Sequence, residues 1–421
     1  MSSDSAFLDA SSSIAHGIVA DAVWHDGRCN WTGAVVDPAV PWRFEVRALE
    51  PDLYDGAAGV GLFLAQLAAV TGDAAVRRTA LGALRQAIAR APAMPVDRRD
   101  GFHAGSLGIA WAAARAAELL DEDELREGAR AVVAGARPPA TPERCPDVIL
   151  GGAGAILALL ALAEACDDPA LVEDAIATGE ALTEQATVTD HCWSWADPSR
   201  RYRGHLCGLS HGAAGIGWAL LELFAVTRDD RFRTGAEGAF AYERSWLDAD
   251  SGTWPDLRMH GLRRDTAGTF ASPAAGTWCH GEGGIALTRL RAAALLGTEP
   301  YRQEAELALE TTRRQLARPL PGEHEDFTLC HGAAGAADVL LCGAAALGHP
   351  AEPARELGHA ALEHHGAGRE RWPCGAGSGT TPALFRGLGG IAWWLLRLHD
   401  PEIPSALTLP ILELTVLSKR A

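Results

Sequence analysis

The sequence predicts an all-α protein, an α/α toroid in which seven inner and seven outer helices form a double ring. Three observations favour this fold. A short glycine pattern recurs seven times, an Ala-rich apolar segment follows each copy, and amphipathic segments lie between copies. With 48% hydrophobic and 22% charged residues, the composition suits closely packed helices and excludes wholesale disorder. We expect residues 1–421 to form a single domain.

The recurring pattern is a Gly, two residues and a second Gly. Its copies are YDGAAG (54–59), HAGSLG (103–108), ILGGAG (149–154), SHGAAG (210–215), CHGEGG (279–284), CHGAAG (330–335) and FRGLGG (385–390). Successive copies lie 46 to 69 residues apart, which leaves room for two helices each. We expect the glycines to permit tight turns with φ > 0 and close backbone approach. A phosphate-binding loop is the alternative, but it lacks the preceding strand and the Lys of a nucleotide loop.

The helices of each pair differ in their polarity. Runs such as GVGLFLAQLAAV and GIGWALLELFAV are apolar nearly all round and are predicted to be buried inner helices. Segments such as AAVRRTALGALRQAIARA and PYRQEAELALETTRRQLA have one solvated face and are predicted to be outer helices. A segment near Ser13 to Trp24 would supply the first outer helix. Highly apolar inner helices favour a closed ring over an open solenoid.

Closure would bring the residues just before each glycine loop together at the central axis. Two copies place a Cys two positions before the first Gly, and three consecutive copies place a His one position before it. Zinc prefers thiolate and imidazole ligands, and a catalytic site keeps three of them with one position open. Cys279, Cys330 and His331 therefore predict a zinc site. His280 as a fourth ligand would instead make the site structural, and simple packing of buried Cys and His is the remaining alternative.

The third histidine of this set follows a serine rather than a thiol. His211, after Ser210, is predicted to be a free imidazole near the metal, suited to general acid or base work. Asp147, four residues before Gly151, would orient that ring through a carboxylate to imidazole hydrogen bond. The alternative is a hydrogen-bonded core histidine.

A long irregular segment, HCWSWADPSRRYRGHLC, separates two of the copies. Its residues His191, Cys192, His205 and Cys207 could hold a second metal, although its aromatic and basic content is more typical of a lid over the cavity. The nine cysteines are too sparse for a disulfide framework. Those outside the zinc set are expected to be small buried hydrophobes or loop thiols.

The net charge of −17 argues against binding to nucleic acid or anionic membranes. The start, MSSDSAFLDASSS, lacks the regions of a secretory signal, and no apolar run reaches about 18 residues. We therefore expect a cytoplasmic protein with no transmembrane segment.

The motifs GLSHGAAGIG, WCHGEGGIAL and LCHGAAG resemble the lanthionine synthetase C-like family, and LYDGAAGVGLFLAQLA is closest to the cyclase half of fused lanthipeptide synthetases. The resemblance covers nearly the whole chain. It implies a double α toroid, Zn²⁺ at Cys279, Cys330 and His331, and catalysis by His211 and Asp147. The implied reaction adds Cys thiols to dehydroalanine or dehydrobutyrine in a dehydrated precursor peptide, supplied by a separate dehydratase.

The sequence departs from the family at one position. Some members place an Arg four residues before the first zinc Cys, where this chain has Ala275. Its help in stabilising negative charge must come from elsewhere or be absent, and His280, Arg289 and Arg386 are the candidates.

Three other functions compete with a cyclase. The first is a lanthionine synthetase C-like adaptor that binds thiols or peptides, or an enzyme of glutathione adducts. The second is a zinc-dependent prenyltransferase-like enzyme. The third is a glycosidase on an α/α toroid, which needs paired carboxylates, whereas the inner-helix starts offer only Asp55, Asp147 and Glu282.

Overall fold

The computed structural model describes residues 3–37, 40–136, 144–196, 204–258, 276–317, 326–366, 372–374 and 380–411. Fourteen α-helices lie within these ranges. The predicted all-α class is confirmed, and no helix among these residues is long and apolar enough to cross a membrane.

Seven helices begin directly after the glycine loops and are almost fully buried. They are α2 (Ala57–Thr71), α4 (Ser106–Leu120), α6 (Gly152–Ala165), α8 (Ala213–Thr227), α10 (Glu282–Leu296), α12 (Ala333–Leu347) and α14 (Leu388–His399). The outer helices are α1 (Ser3–Ala20), α3 (Ala74–Arg90), α5 (Asp123–Ala136), α7 (Ala170–Gln185), α9 (Asp230–Ser245), α11 (Glu299–Leu316) and α13 (Glu352–His365).

The inner helices form a closed ring. Each packs against its neighbours in chain order, and α14 returns to contact α2. The first outer helix, α1, packs against α14, so the two ends of the described chain meet at one seam. Seven inner and seven outer helices are therefore present, as the repeat count predicts.

A circle of backbone hydrogen bonds joins the seven glycine loops. Its bonds run from Tyr54 N to His103 O, Ala104 N to Ile149 O, Val148 N to Ser210 O, Ser210 N to Cys279 O, Cys279 N to Cys330 O, Cys330 N to Phe385 O and Phe385 N to Tyr54 O, at 2.8–3.4 Å. This circle lies where the inner helices begin. It explains how residues far apart in the chain come to share one site.

The glycines of the pattern let backbone segments pack closely and do not adopt a left-handed conformation. The first Gly of each copy caps its inner helix in an extended conformation, so the expectation of φ > 0 at these positions is wrong. The second Gly lies in the first helical turn, against a carbonyl oxygen of its own loop. A Cβ on Gly108, for example, would overlap the carbonyl oxygen of Phe102.

Two local features differ from the sequence-based expectation. The first outer helix spans Ser3–Ala20 rather than a segment near Ser13 to Trp24. The chain also forms three antiparallel hairpins that helical periodicity did not predict. Two follow α1: β1 (Val23–His25) with β2 (Arg28–Asn30), and β3 (Thr32–Asp37) with β4 (Val40–Ala48). The third follows α7 and pairs β5 (Thr187–Thr189) with β6 (Cys192–Ser194). The first turns at Asp26 and Gly27, both with positive φ, a common hairpin signal.

Candidate metal centre

Two thiols and one imidazole meet at the start of α10 and α12. The ligand atoms of Cys279, Cys330 and His331 all lie within 4.8 Å of one another. Both cysteines are buried, whereas the His331 side chain is 44% exposed. The sequence-based grouping of these three residues therefore matches their placement, and among the described residues they are the one such group.

The repeat accounts for this convergence. Cys279 and Cys330 occupy equivalent positions in consecutive loops, whose backbones are joined by the 3.4 Å bond from Cys279 N to Cys330 O. The Cys330 thiol and the His331 ring hydrogen-bond to Cys279 and hold the pKa of Cys279 well below that of an ordinary thiol. Burial raises the pKa of Cys330 well above it. The pair of thiols therefore loses its first proton more readily, and its second less readily, than an ordinary thiol would.

A carboxylate supports His331 from outside the cluster. The Nε2 atom of His331 lies 3.0 Å from Asp326 Oδ2, and Asp326 Oδ1 accepts a 2.7 Å bond from Thr328 N. Burial lowers the pKa of His331, but hydrogen bonds to Asp326 and Cys279 outweigh this and raise it to about 9. A carboxylate on the second ring nitrogen is typical of metal-binding histidines. The donor set and this support therefore fit a zinc ion.

His211 and Asp147 form a hydrogen-bonded pair, as the sequence predicted. Asp147 Oδ2 binds His211 Nδ1, while Asp147 Oδ1 accepts bonds from Leu150 N at 2.8 Å and Gly151 N at 3.0 Å. Burial alone would lower the pKa of His211, but the charge and hydrogen bond of Asp147 outweigh it, so the net shift is upward. Burial would raise the pKa of Asp147, and His211 reverses that shift.

His280 lies outside the group formed by the two thiols and His331. Its Nε2 lies 3.4 Å from Ser210 Oγ, and its ring stacks on His211 with centroids 5.5 Å apart. Burial lowers the pKa of His280 to about 4. His280 is not part of the group within 4.8 Å, so the fourth-ligand alternative gains no support from the geometry. It instead connects the thiol cluster to the His211–Asp147 pair.

Ala275, where some relatives have an Arg, lies outside the described residues. Of the suggested replacements, Arg289 does not fit the role of the missing Arg. Its side chain is fully buried, donates to Glu304 at 2.7 Å and lies over the aromatic ring of Phe240. Arg386 lies at the loops and donates from Nε to Asp55 at 2.8 Å. Sequence reasoning missed Arg258, whose charge acts on both His211 and His280.

The carboxylates that a glycosidase would require are engaged separately. Asp55 binds Arg386, Asp147 binds His211, and Glu282 accepts bonds from Trp254 N at 3.1 Å and Gly276 N at 2.6 Å. The three carboxylates are therefore held by different partners, whereas glycoside hydrolysis needs two that act as a pair.

The predicted lid, residues 191–207, begins in the turn and second strand of the β5–β6 hairpin, and residues 197–203 lie outside the described part of the chain. His205 Nδ1 lies 2.7 Å from Ser194 Oγ. His191, Cys192, His205 and Cys207 form no metal-binding group among the described residues.

The fold and site together define a closed α/α toroid that carries a Cys, Cys, His cluster at the rim of its inner ring. The family model described as lanthionine synthetase C-like protein matches residues 47–411, and the chain belongs to that family.

Solved structures resemble this chain to different degrees. Nisin cyclase superposes with a TM-score of 0.63 at 17% identity, covering 84% of this chain and 89% of its own. An unsaturated glucuronyl hydrolase specific for heparin gives 0.46 at 15% identity, covering 76% and 86%. A cellobiose 2-epimerase from Spirochaeta thermophila gives 0.43 at 14% identity, covering 93% and 94%. No curated protein matches the chain by sequence.

Proposed function

We propose that this protein is a zinc-dependent lanthipeptide cyclase that acts in the cytoplasm. Its substrate would be a precursor peptide in which a separate dehydratase has converted Ser or Thr to dehydroalanine or dehydrobutyrine. The observation that carries the proposal is the Cys279, Cys330 and His331 cluster beside a His–Asp pair, within a chain of the lanthionine synthetase C-like family.

Three side chains of this chain would hold the metal. Cys279, Cys330 and His331 supply the soft sulfur and nitrogen donors that zinc prefers, and Asp326 would fix the His331 ring. A zinc ion in this site would supply Lewis-acid chemistry that favours the thiolate form of a substrate cysteine at neutral pH.

His211 would move the proton. Asp147 binds Nδ1 of His211, and Nε2 is the ring nitrogen that would exchange protons with the substrate. His211 would accept the proton of the substrate thiol while sulfur forms a bond to the β-carbon of the dehydrated residue. The electron pair of the alkene then passes to the α-carbon, and His211 returns a proton there. The addition balances without an oxidant or reductant.

The loops that carry the two centres are neighbours in the ring. Ser210 N donates to Cys279 O at 2.9 Å, so the loop that carries His211 is bonded directly to the loop that carries the first thiol. Holding thiol and alkene together in this ring of loops would remove much of the entropic cost of ring closure.

The first test is zinc content. We expect about one zinc per native chain, little in Cys330→Ala, and native content in Cys166→Ala, because Cys166 caps the opposite end of α6. Elemental analysis of identically purified proteins measures this. Absence of zinc from the native protein, even after resupply, would overturn the proposal.

The second test separates catalysis from binding. A dehydrated, Cys-containing peptide is incubated with the protein, free thiols are alkylated, and the product is weighed by mass spectrometry. Native protein should leave fewer alkylated thiols, whereas His211→Ala should retain zinc and cyclise at least about 100-fold more slowly, the usual worth of a general acid or base. Binding without loss of thiols in the native protein would favour the adaptor alternative.

A further inference from the structure

Tyr54 occupies, in the first glycine loop, the position that Cys279 and Cys330 hold in theirs. The circle of backbone bonds places the loop of Phe385 between those of Tyr54 and Cys330. The Tyr54 side chain crosses over that loop and reaches the cluster, where its Oη lies 2.8 Å from Cys330 Sγ. A phenol hydroxyl therefore touches one of the two thiols directly.

Neighbouring side chains fix the Tyr54 ring in this orientation. It stacks on Phe385 with centroids 4.9 Å apart and an interplanar angle of 15°. The Arg386 guanidinium lies 5.7 Å from the ring centroid and is itself paired with Asp55. The hydroxyl is thus aimed at the sulfur by contacts that do not involve the thiols.

The direction of this hydrogen bond follows from the chemistry of a metal-bound cysteine. A coordinating thiol is deprotonated and can only accept, so the Tyr54 hydroxyl must donate. A donated hydrogen bond withdraws charge from the thiolate, which tunes both its bond to the metal and its reactivity. The other thiol lacks so close a contact with the Thr277 hydroxyl: Thr277 Oγ1 lies 3.8 Å from Cys279 Sγ, 1 Å farther than Tyr54 Oη lies from Cys330 Sγ.

We propose that Tyr54 is a positioning residue that donates a hydrogen bond to the Cys330 thiolate and makes it a weaker donor and a weaker nucleophile than Cys279. This inference rests on the proposed zinc site. Beside an electrophilic alkene, this hydrogen bond would make Cys330 less reactive and leave the substrate thiol to add.

The test uses cobalt as a spectroscopic substitute for zinc in the full-length protein. Tyr54→Phe keeps the ring that stacks on Phe385 and removes only the hydroxyl. We expect the thiolate-to-cobalt charge-transfer band to move to longer wavelength, because an unprotected thiolate is easier to oxidise, while cobalt stoichiometry is unchanged. Tyr242→Phe is the matched control, since it removes a hydroxyl that donates to His205 O at 2.9 Å, outside the cluster.

A second readout resolves the two thiols. The zinc-loaded proteins are treated with N-ethylmaleimide, and the alkylated cysteines are mapped by mass spectrometry. Tyr54→Phe should increase alkylation of Cys330 several-fold relative to Cys279, and Tyr242→Phe should leave that ratio unchanged. Phe385→Leu, which removes the stacking partner, should move both readouts in the same direction by a smaller amount.

The outcomes distinguish this inference from the proposed function. A native protein that binds one cobalt, with an unchanged band and alkylation ratio in Tyr54→Phe, would overturn the role of Tyr54 and leave the cyclase proposal standing. A native protein that binds neither cobalt nor zinc would overturn both.

Discussion

Single residues in the site are supported by partners that are themselves held in place. Asp147 illustrates this, because one of its oxygens binds His211 while the other accepts two backbone N–H groups of its own loop. The carboxylate is therefore fixed before it orients the imidazole. Such support commonly affects activity by about 10- to 100-fold in metal enzymes.

Asp147→Asn tests this support. The asparagine oxygen can still accept the backbone bonds, but its loss of charge should lower the pKa of His211 and slow cyclisation by about 10- to 100-fold. NMR titration of the His211 ring in native and variant protein measures the pKa shift. The same or a higher pKa in the variant would contradict the assignment.

The pair also makes stability depend on pH. The pKa of His211 is raised by folding, so its stabilising effect is full below about 6.5 and is lost as pH rises through the raised value. The pKa of Asp147 is lowered, so its effect is present above about 3.9 and is lost as pH falls. Asp147→Asn should therefore cost most stability between about pH 4 and 6.5.

Repeat position was enough to predict which thiols and imidazole meet, because equivalent positions in consecutive repeats of a closed ring are neighbours. It could not predict Asp326 or the contact of Tyr54 with Cys330. Asp326 lies six residues before Gly332, ahead of the glycine pattern, and the reach of Tyr54 depends on how its ring packs across Phe385.

At the scale of elements, each inner helix is joined to its loop by close backbone contact at the second glycine of the pattern. Gly108 lies in the first turn of α4, where a Cβ would overlap the Phe102 carbonyl oxygen. The spacing of the glycines predicted this close approach. It did not predict the extended backbone at the first glycine, because the pattern itself does not distinguish a cap from a left-handed turn.

Gly108→Ala should destabilise the protein by about 3 kcal/mol, since backbone rather than a flexible side chain must move. Gly135→Ala is the control: Gly135 lies in α5 with nothing near its Cβ position, and alanine there should be neutral or stabilise by up to about 1 kcal/mol. Urea denaturation followed by circular dichroism compares the two. Equal midpoints would contradict the proposed role of the second glycine.

The three hairpins show where periodicity failed. Apolar spacing reports long helices well, but four of the six strands have only three residues, as Val23–His25 has, and are too short to establish an alternation. Asp26 and Gly27 carried a turn signal that could have identified the first hairpin. The same omission placed the end of the first outer helix beyond Ala20.

At the scale of the whole molecule, the ring closes where α1 covers α14. Ser11 Oγ donates to Ala392 O at 2.8 Å, and Phe7 is fully buried with its ring 4.7 Å from that of His359 in α13. The loop before α14 carries Phe385 and Arg386, which support Tyr54. The seam and the candidate metal centre are therefore parts of one circle, as the count of seven pairs predicted.

Phe7→Ala should cost about 3–5 kcal/mol because it opens a cavity at this seam. Val96→Ala, at an exposed site, should change little.

Closure makes a stronger prediction about zinc. If the circle unfolds as a unit, zinc release measured with a chromophoric chelator should coincide with the thermal transition in native and Phe7→Ala protein, and added zinc should raise both midpoints. An open array would instead lose α1 first and keep its zinc, because each pair would depend only on its neighbours.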